Sequence, residues 1–160
     1  MSEHRATIAW KRVGPSFSKG QYSREHTWTF DGGVTVPASP LPVAVPAPWS
    51  NPSHVDPEEA FVASIASCHM LWFLWGASKR GFRVESYRDE ALGVMEKNAE
   101  GRMAMTAVTL RPHVVFTADP APPGADVFRE IHDTAHHECY IANSVKTEIR
   151  VEPTFEVGSL

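Results

Sequence analysis

Apolar and polar side chains alternate over Arg24 to Phe30, which puts Trp28 and Phe30 on one face. A period of two predicts a half-buried strand. Ala6 to Val13 reads as the strand before it, with Gly14 to Gly20 as turn material between them. Asp31-Gly32-Gly33 makes a tight turn into Val34 to Ala38, so the second and third strands form a hairpin. The pattern then changes. Prolines at 37, 40, 42, 46, 48, 52 and 57 exclude helix and central strand, because proline fixes φ and removes a donor. The segment reads as a long, stiff surface loop, a feature uncommon without a function.

Asp56-Pro57-Glu58-Glu59 is a helix start. Asp56 can cap, Pro57 suits the first helical position, and Glu59 completes a capping box. The helix should run to about Lys79-Arg80 and stop at Gly81. From Phe61 to Ala77 it is nearly apolar all round, which predicts burial on every side with Cys68 at its centre. Strands are expected over Phe82 to Lys97 and Gly101 to Thr117, with Asn98 to Gly101 as their turn. A second helix follows over Ala125 to Glu138, with Val127, Phe128, Ile131 and Ala135 on one face and Cys139 at its end. Ser144 to Val157 is the last strand. The order β-β-β-α-β-β-α-β is α+β. Six strands of this length give one central buried helix too little cover, so a homodimer is expected.

Composition narrows the function classes. The 160 residues are 42% hydrophobic and 21% charged, as in one soluble globular domain spanning 1–160. The net charge is −4 with interspersed signs, which argues against nucleic acid and against a polybasic membrane patch. The first residues hold no apolar run of signal-peptide length. The strongly apolar stretch Met70 to Ala77 falls far short of the ~20 residues of a membrane span. A cytoplasmic protein is expected.

Two cysteines do not make a disulfide scaffold in a domain of this size. Cys68, inside an apolar helix, would be inert unless something held it as thiolate. The helix interior gives no dipole help, so a guanidinium is the natural candidate. Cys139 stands at a helix end whose dipole disfavours a thiolate. If the two act together, Cys68 attacks and Cys139 resolves. Glu58 has a structural reason at the first helical turn, but it can also orient an arginine aimed at Cys68. Ten residues of straight helix separate it from Cys68, roughly 15 Å. Joining them needs a helix break, a spanning arginine or a partner chain. His132, His136 and Cys139 fall at i, i+4 and i+7, one face with zinc-binding residue types, though no CxxC or second ligand pair completes the set. Trp72, Phe73 and Trp75 read as core. Were part of them a pocket wall, the ligand would be apolar.

Asp56-Pro-Glu-Glu-Ala-Phe-Val-Ala-Ser-Ile-Ala-Ser-Cys-His69 resembles the segment of the OsmC/Ohr family in which Asn/Asp-Pro-Glu precedes a cysteine, including the ten-residue step from Glu58 to Cys68. Ala135-His-His-Glu-Cys-Tyr-Ile-Ala-Asn-Ser-Val-Lys146 resembles the family's second cysteine motif, with Tyr140 where the family often has proline. Tyr22 to Gly33 occupies the place of its arginine-bearing strand turn. The proline loop and the aromatic run after His69 are closer to the OsmC-like branch than to the Ohr branch. The resemblance implies a six-stranded, antiparallel-rich α+β subunit in an intertwined homodimer with interfacial active sites. It also implies roles: Cys68 as peroxidatic cysteine, Cys139 as resolving cysteine, Arg24 as activating guanidinium (Arg5 and Arg12 as fallbacks) and Glu58 as its carboxylate partner. The activity implied is reduction of organic hydroperoxides in oxidative stress defence, with no cofactor and with an external dithiol as reductant, a lipoyl-type dithiol being the leading expectation. Two alternatives stay open: a zinc-binding protein using His132, His136 and Cys139, and a catalytically silent protein of this fold that binds an apolar ligand.

Overall fold

The computed structural model describes residues 1–158. They divide into two compact units, Met1–Ala60 and the chain from Phe61 onward. The first unit is an antiparallel meander of β1 (Ala6–Trp10), β2 (His26–Phe30) and β3 (Thr35–Ala38). The expected hairpin forms: Gly33 turns with φ 85° and donates its N–H to the Phe30 carbonyl, where a residue with a side chain would be strained. Segment 11–25 folds on a cluster of Trp10, Phe17 and Tyr22, and the Trp10 indole donates to the Ser23 carbonyl at 2.8 Å. The proline loop is tied to the end of β3. Ser39 N–H donates to the Val55 carbonyl, Val55 N–H to the Pro37 carbonyl, and Asn51 N–H to the Ser39 hydroxyl.

Helix α1 (Pro57–Lys79) begins as the sequence predicts. The Glu59 N–H donates to Asp56 Oδ1 at 2.7 Å, and the Asp56 N–H donates to Glu59 Oε2 at 3.1 Å, a complete capping box. It ends at Gly81 (φ 80°), where Phe82 N–H reaches the Ala77 carbonyl in a Schellman closure.

The second unit adds β4 (Val84–Asp89), β5 (Leu92–Lys97), β6 (Met103–Leu110), β7 (Pro112–Phe116), α2 (Ala125–Glu138), a 3-10 turn at Ala142–Ser144, β8 (Glu148–Val151) and β9 (Thr154–Val157). They form two three-stranded sheets, β4-β7-β9 and β5-β6-β8, each with an antiparallel and a parallel pairing. Two cores result. Phe73 and Ala77 of α1 pack with Val114 and Phe116 of β7 and with Phe128, Ile131 and Ala135 of α2. Ile65 packs with Val108 and Leu110 of β6. One face of α1 thus serves both sheets.

Two expectations need correction. The six-stranded sheet is instead nine short strands in three sheets among the described residues. The three long strands expected after α1 each break near one level: at Glu90-Ala91, at Arg111, and at Glu152-Pro153. Arg111 pins all three, since its N–H donates to Asp89 Oδ1 at 2.7 Å and its Nε to Glu152 Oε2 at 3.1 Å. Pro153 could not have continued a ladder. The second correction concerns α1, which is not buried on every side. Only the stripe Ile65, His69, Phe73 and Ala77 is buried, while Leu71 and Trp75 are 61% and 53% exposed within this chain. At 23 residues α1 is also long and apolar enough to cross a membrane by length and composition, where the Met70 to Ala77 stretch alone suggested otherwise. Its buried stripe, however, is built into the two cores of this fold.

Candidate active site

Cys68 lies one position before His69 on α1, beside the buried stripe rather than within it. It is therefore half-buried, not the core residue that the apolar run suggested. It lines a cavity of about 650 Å³ together with Leu71, Trp72, Trp75, Thr134, Glu138 and Tyr140. Trp72 stands edge-on to both Trp75 and Tyr140, each with ring centroids 5.5 Å away. Of the aromatic run after the cysteine, Trp72 and Trp75 are pocket wall and Phe73 alone is core.

Cys139 caps α2 in extended backbone geometry and is fully buried. The turn that follows holds it in place. Asn143 donates its N–H and its side-chain amide to the Cys139 carbonyl, and the same amide reaches the His137 carbonyl at 2.8 Å. The two thiols are free, and Cys68 is near enough to bear on the Cys139 thiol. Burial, and then the hydrogen bond with Cys68, push the Cys139 thiol up to about 11, against the opposing Ala142 N–H at 3.4 Å. At neutral pH Cys139 thus keeps its proton. An accessible sulfur on an apolar cavity, backed by a buried protonated sulfur, can form a sulfenic acid at the first and condense it to a disulfide with the second.

Arg24 stands just before β2 rather than inside it. Its guanidinium donates to the Gly20 and Tyr22 carbonyls at 2.7 and 2.6 Å and lies 3.8 Å from the Tyr22 ring centroid. It lines a second cavity, of about 480 Å³, with Trp10, Phe17 and His26 among its neighbours. Glu58 is partly buried in the first turn of α1. Among the described residues no ion pair joins Arg24 to Glu58. Arg5 pairs with Glu3 at the surface, and Arg12 is exposed. Because α1 is unbroken from Pro57 to Lys79, a helix break does not bring Glu58 to Cys68.

The histidines are arranged differently from the zinc-ligand face. No group of three metal-ligating side chains is gathered among the described residues. His132 instead turns its Nδ1 to His69 Nε2 at 2.9 Å, with both rings buried and His132 stacked on Phe73 at 4.1 Å. Burial holds both rings neutral: His69 falls to about 4 and His132 to about 3, and a neighbouring histidine lowers each further. This pair escaped the sequence reading. The signal was present in the spacings Ile65-His69-Phe73-Ala77 and Phe128-Ile131-His132-Ala135, each of which places a histidine on a core stripe.

Comparison with known proteins bears on the family and the fold. A family model described as OsmC-like protein matches residues 50–154. Among solved structures, an OsmC-like protein of unknown function from Vibrio cholerae is 49% identical, with a TM-score of 0.92 over 96% of this chain and 99% of that one. The organic hydroperoxide resistance protein of Elizabethkingia anophelis superposes with a TM-score of 0.67 at 14% identity, covering 99% of this chain and 98% of that one. The one from Bacillus subtilis gives 0.62 at 16% identity, covering 97% and 98%. At those identities the likeness is one of fold. No curated protein matches. The match over residues 50–154 and the near-complete superposition on a half-identical structure place this chain in the OsmC-like family.

Proposed function

We propose that this chain is a cysteine-based peroxidase that reduces organic hydroperoxides. The observation that carries the reading is the pair of thiols: Cys68 half-buried on an apolar cavity, and Cys139 buried, protonated and near enough to feel Cys68. Solved proteins of this fold that are named for organic hydroperoxide resistance support the peroxide as substrate.

In the proposed reaction the Cys68 thiolate attacks the distal peroxide oxygen. The O–O bond breaks, the alkoxide takes a proton and leaves as an alcohol, and Cys68 becomes a sulfenic acid. The Cys139 thiol then attacks the Cys68 sulfur and its proton leaves with the hydroxyl as water, closing the Cys68-Cys139 disulfide. An external dithiol of lipoyl type reduces that disulfide by exchange and is itself oxidised. Arg24 is assigned the role of holding Cys68 as thiolate and stabilising the departing oxygen, with Glu58 as its carboxylate partner; since the Arg24 guanidinium bonds the Gly20 and Tyr22 carbonyls of its own chain, this set is one that a partner chain would complete. The working form is a cytoplasmic homodimer. Supporting the dimer, α1 leaves Leu71 and Trp75 exposed, and β1 is exposed along its whole length, Ile8 to 61%.

Steady-state reduction of cumene hydroperoxide with dihydrolipoamide as reductant tests the reading. Cys68→Ser should abolish turnover. Without the dithiol, Cys139→Ser should consume one equivalent of peroxide and leave a sulfenic acid that dimedone captures. Unchanged peroxide consumption by Cys68→Ser would sink the proposal.

A further inference from the structure

The long proline loop has no part in the reaction proposed above, and its contacts give it one. It meets the turn that carries Arg24. The Arg24 N–H donates to the Trp49 carbonyl at 3.0 Å, and the Arg24 carbonyl accepts from His26 Nδ1 at 2.8 Å. One residue on, the Glu25 carboxylate is held at both oxygens. Oε1 accepts from the Ser23 hydroxyl at 3.1 Å, while Oε2 accepts from the Asn51 side-chain amide at 3.0 Å and stands 3.4 Å from His54 Nδ1. The bonds from Asn51, then Ser23, hold this carboxyl below its ordinary value, so it is ionised at neutral pH. Asn51 is fixed in turn. Its N–H donates to the buried Ser39 hydroxyl at 2.8 Å, and its side-chain oxygen accepts the Ser53 N–H at 3.0 Å.

The Glu25 side chain is 43% exposed, and an exposed network of this kind adds little to global stability. Its consequence is geometric. A guanidinium stabilises a thiolate and a departing oxygen best from a preorganised position, which a loose turn cannot supply. Arg24 is anchored through its N–H, its carbonyl and its guanidinium, and Glu25 ties the same turn to the loop. Resting on the peroxidase reading and its Arg24 assignment, we propose that the proline loop is the mould that sets Arg24, with Glu25 and Asn51 as positioning residues.

The sign of one substitution separates positioning from charge. Removing a negative charge beside Arg24 would by charge alone favour the Cys68 thiolate, whereas releasing Arg24 disfavours it. Alkylation of Cys68 by iodoacetamide in the reduced full-length protein at pH 7, read by peptide mass, reports that thiolate. Glu25→Ala and Asn51→Ala should each slow it about fivefold, and at pH 10, where thiols ionise without help, the rates should converge. Glu25→Gln keeps an oxygen for Asn51 and should recover most of the rate. Arg24→Ala should be at least as slow as Glu25→Ala, and adding Glu25→Ala to it should slow it no further. Unchanged or faster alkylation in Glu25→Ala would overturn the inference, as would further slowing in the double variant or an unslowed Arg24→Ala. Failure of the peroxidase reading looks different: alkylation would respond as stated while cumene hydroperoxide left Cys68 unoxidised.

Discussion

His69 and His132 fill core positions between α1 and α2 with rings that burial keeps uncharged. Their folded-state pKa values, about 4 and about 3, lie below the ordinary histidine value of 6.5. An unfolded chain therefore binds protons that the folded chain does not, and stability depends on pH in a defined sense. It is fully present above about pH 6.5 and is lost as the pH falls from there toward about 4. At pH 5 the loss is up to roughly 2 kcal/mol per ring. Urea unfolding at pH 7.5 and pH 5 should show the midpoint falling at the lower pH. An equal midpoint at both would contradict the burial argument. The residue scale was also unevenly legible. The cysteines and Glu58 stand out in the sequence because their spacing matches a known motif, whereas the exposure of Cys68 was not legible. In a helix apolar all round, periodicity does not say which stripe faces the core, and the polar member of that stripe, His69, went unnoticed.

At the scale of elements, local chemistry decided the boundaries that sequence reading placed correctly. The α1 capping box is one such case, and Asp56→Ala should cost about 1 kcal/mol in thermal or urea unfolding. Gly14 is another. It adopts φ 133°, and a Cβ there would come within 2.5 Å of the Gln21 carbonyl oxygen. Gly14→Ala should therefore destabilise the protein by more than 1 kcal/mol, and unaltered stability would show that the loop before Arg24 rearranges freely. The strand breaks were only partly legible. Pro112 and Pro153 mark two of the levels, but the Glu90-Ala91 break has no local signature. It arises from pairing, where Asp89 turns its carboxylate onto the Arg111 N–H. Asp89→Ala should leave that N–H unpaired and cost on the order of 1–2 kcal/mol.

At the scale of the whole molecule, the α+β class and the two-helix order were legible because the 3.6 period of α2 and the turn signals between strands are strong. The expectation of a second copy came from one long apolar helix with too few strands to cover it, and the exposed Leu71 and Trp75 leave that reasoning standing. Sedimentation equilibrium of the full chain at micromolar concentration should return twice the 17.7 kDa chain mass; a monomer at that concentration would contradict the proposed assembly. The order of the two thiols is the central claim, and intact mass tests it most directly. After one equivalent of cumene hydroperoxide, the reduced protein should lose the mass of two hydrogens, and Cys139→Ser should instead gain one oxygen, removable by dithiol. An unchanged mass in the unsubstituted protein, or an oxygen gained by Cys68→Ser rather than by Cys139→Ser, would contradict it.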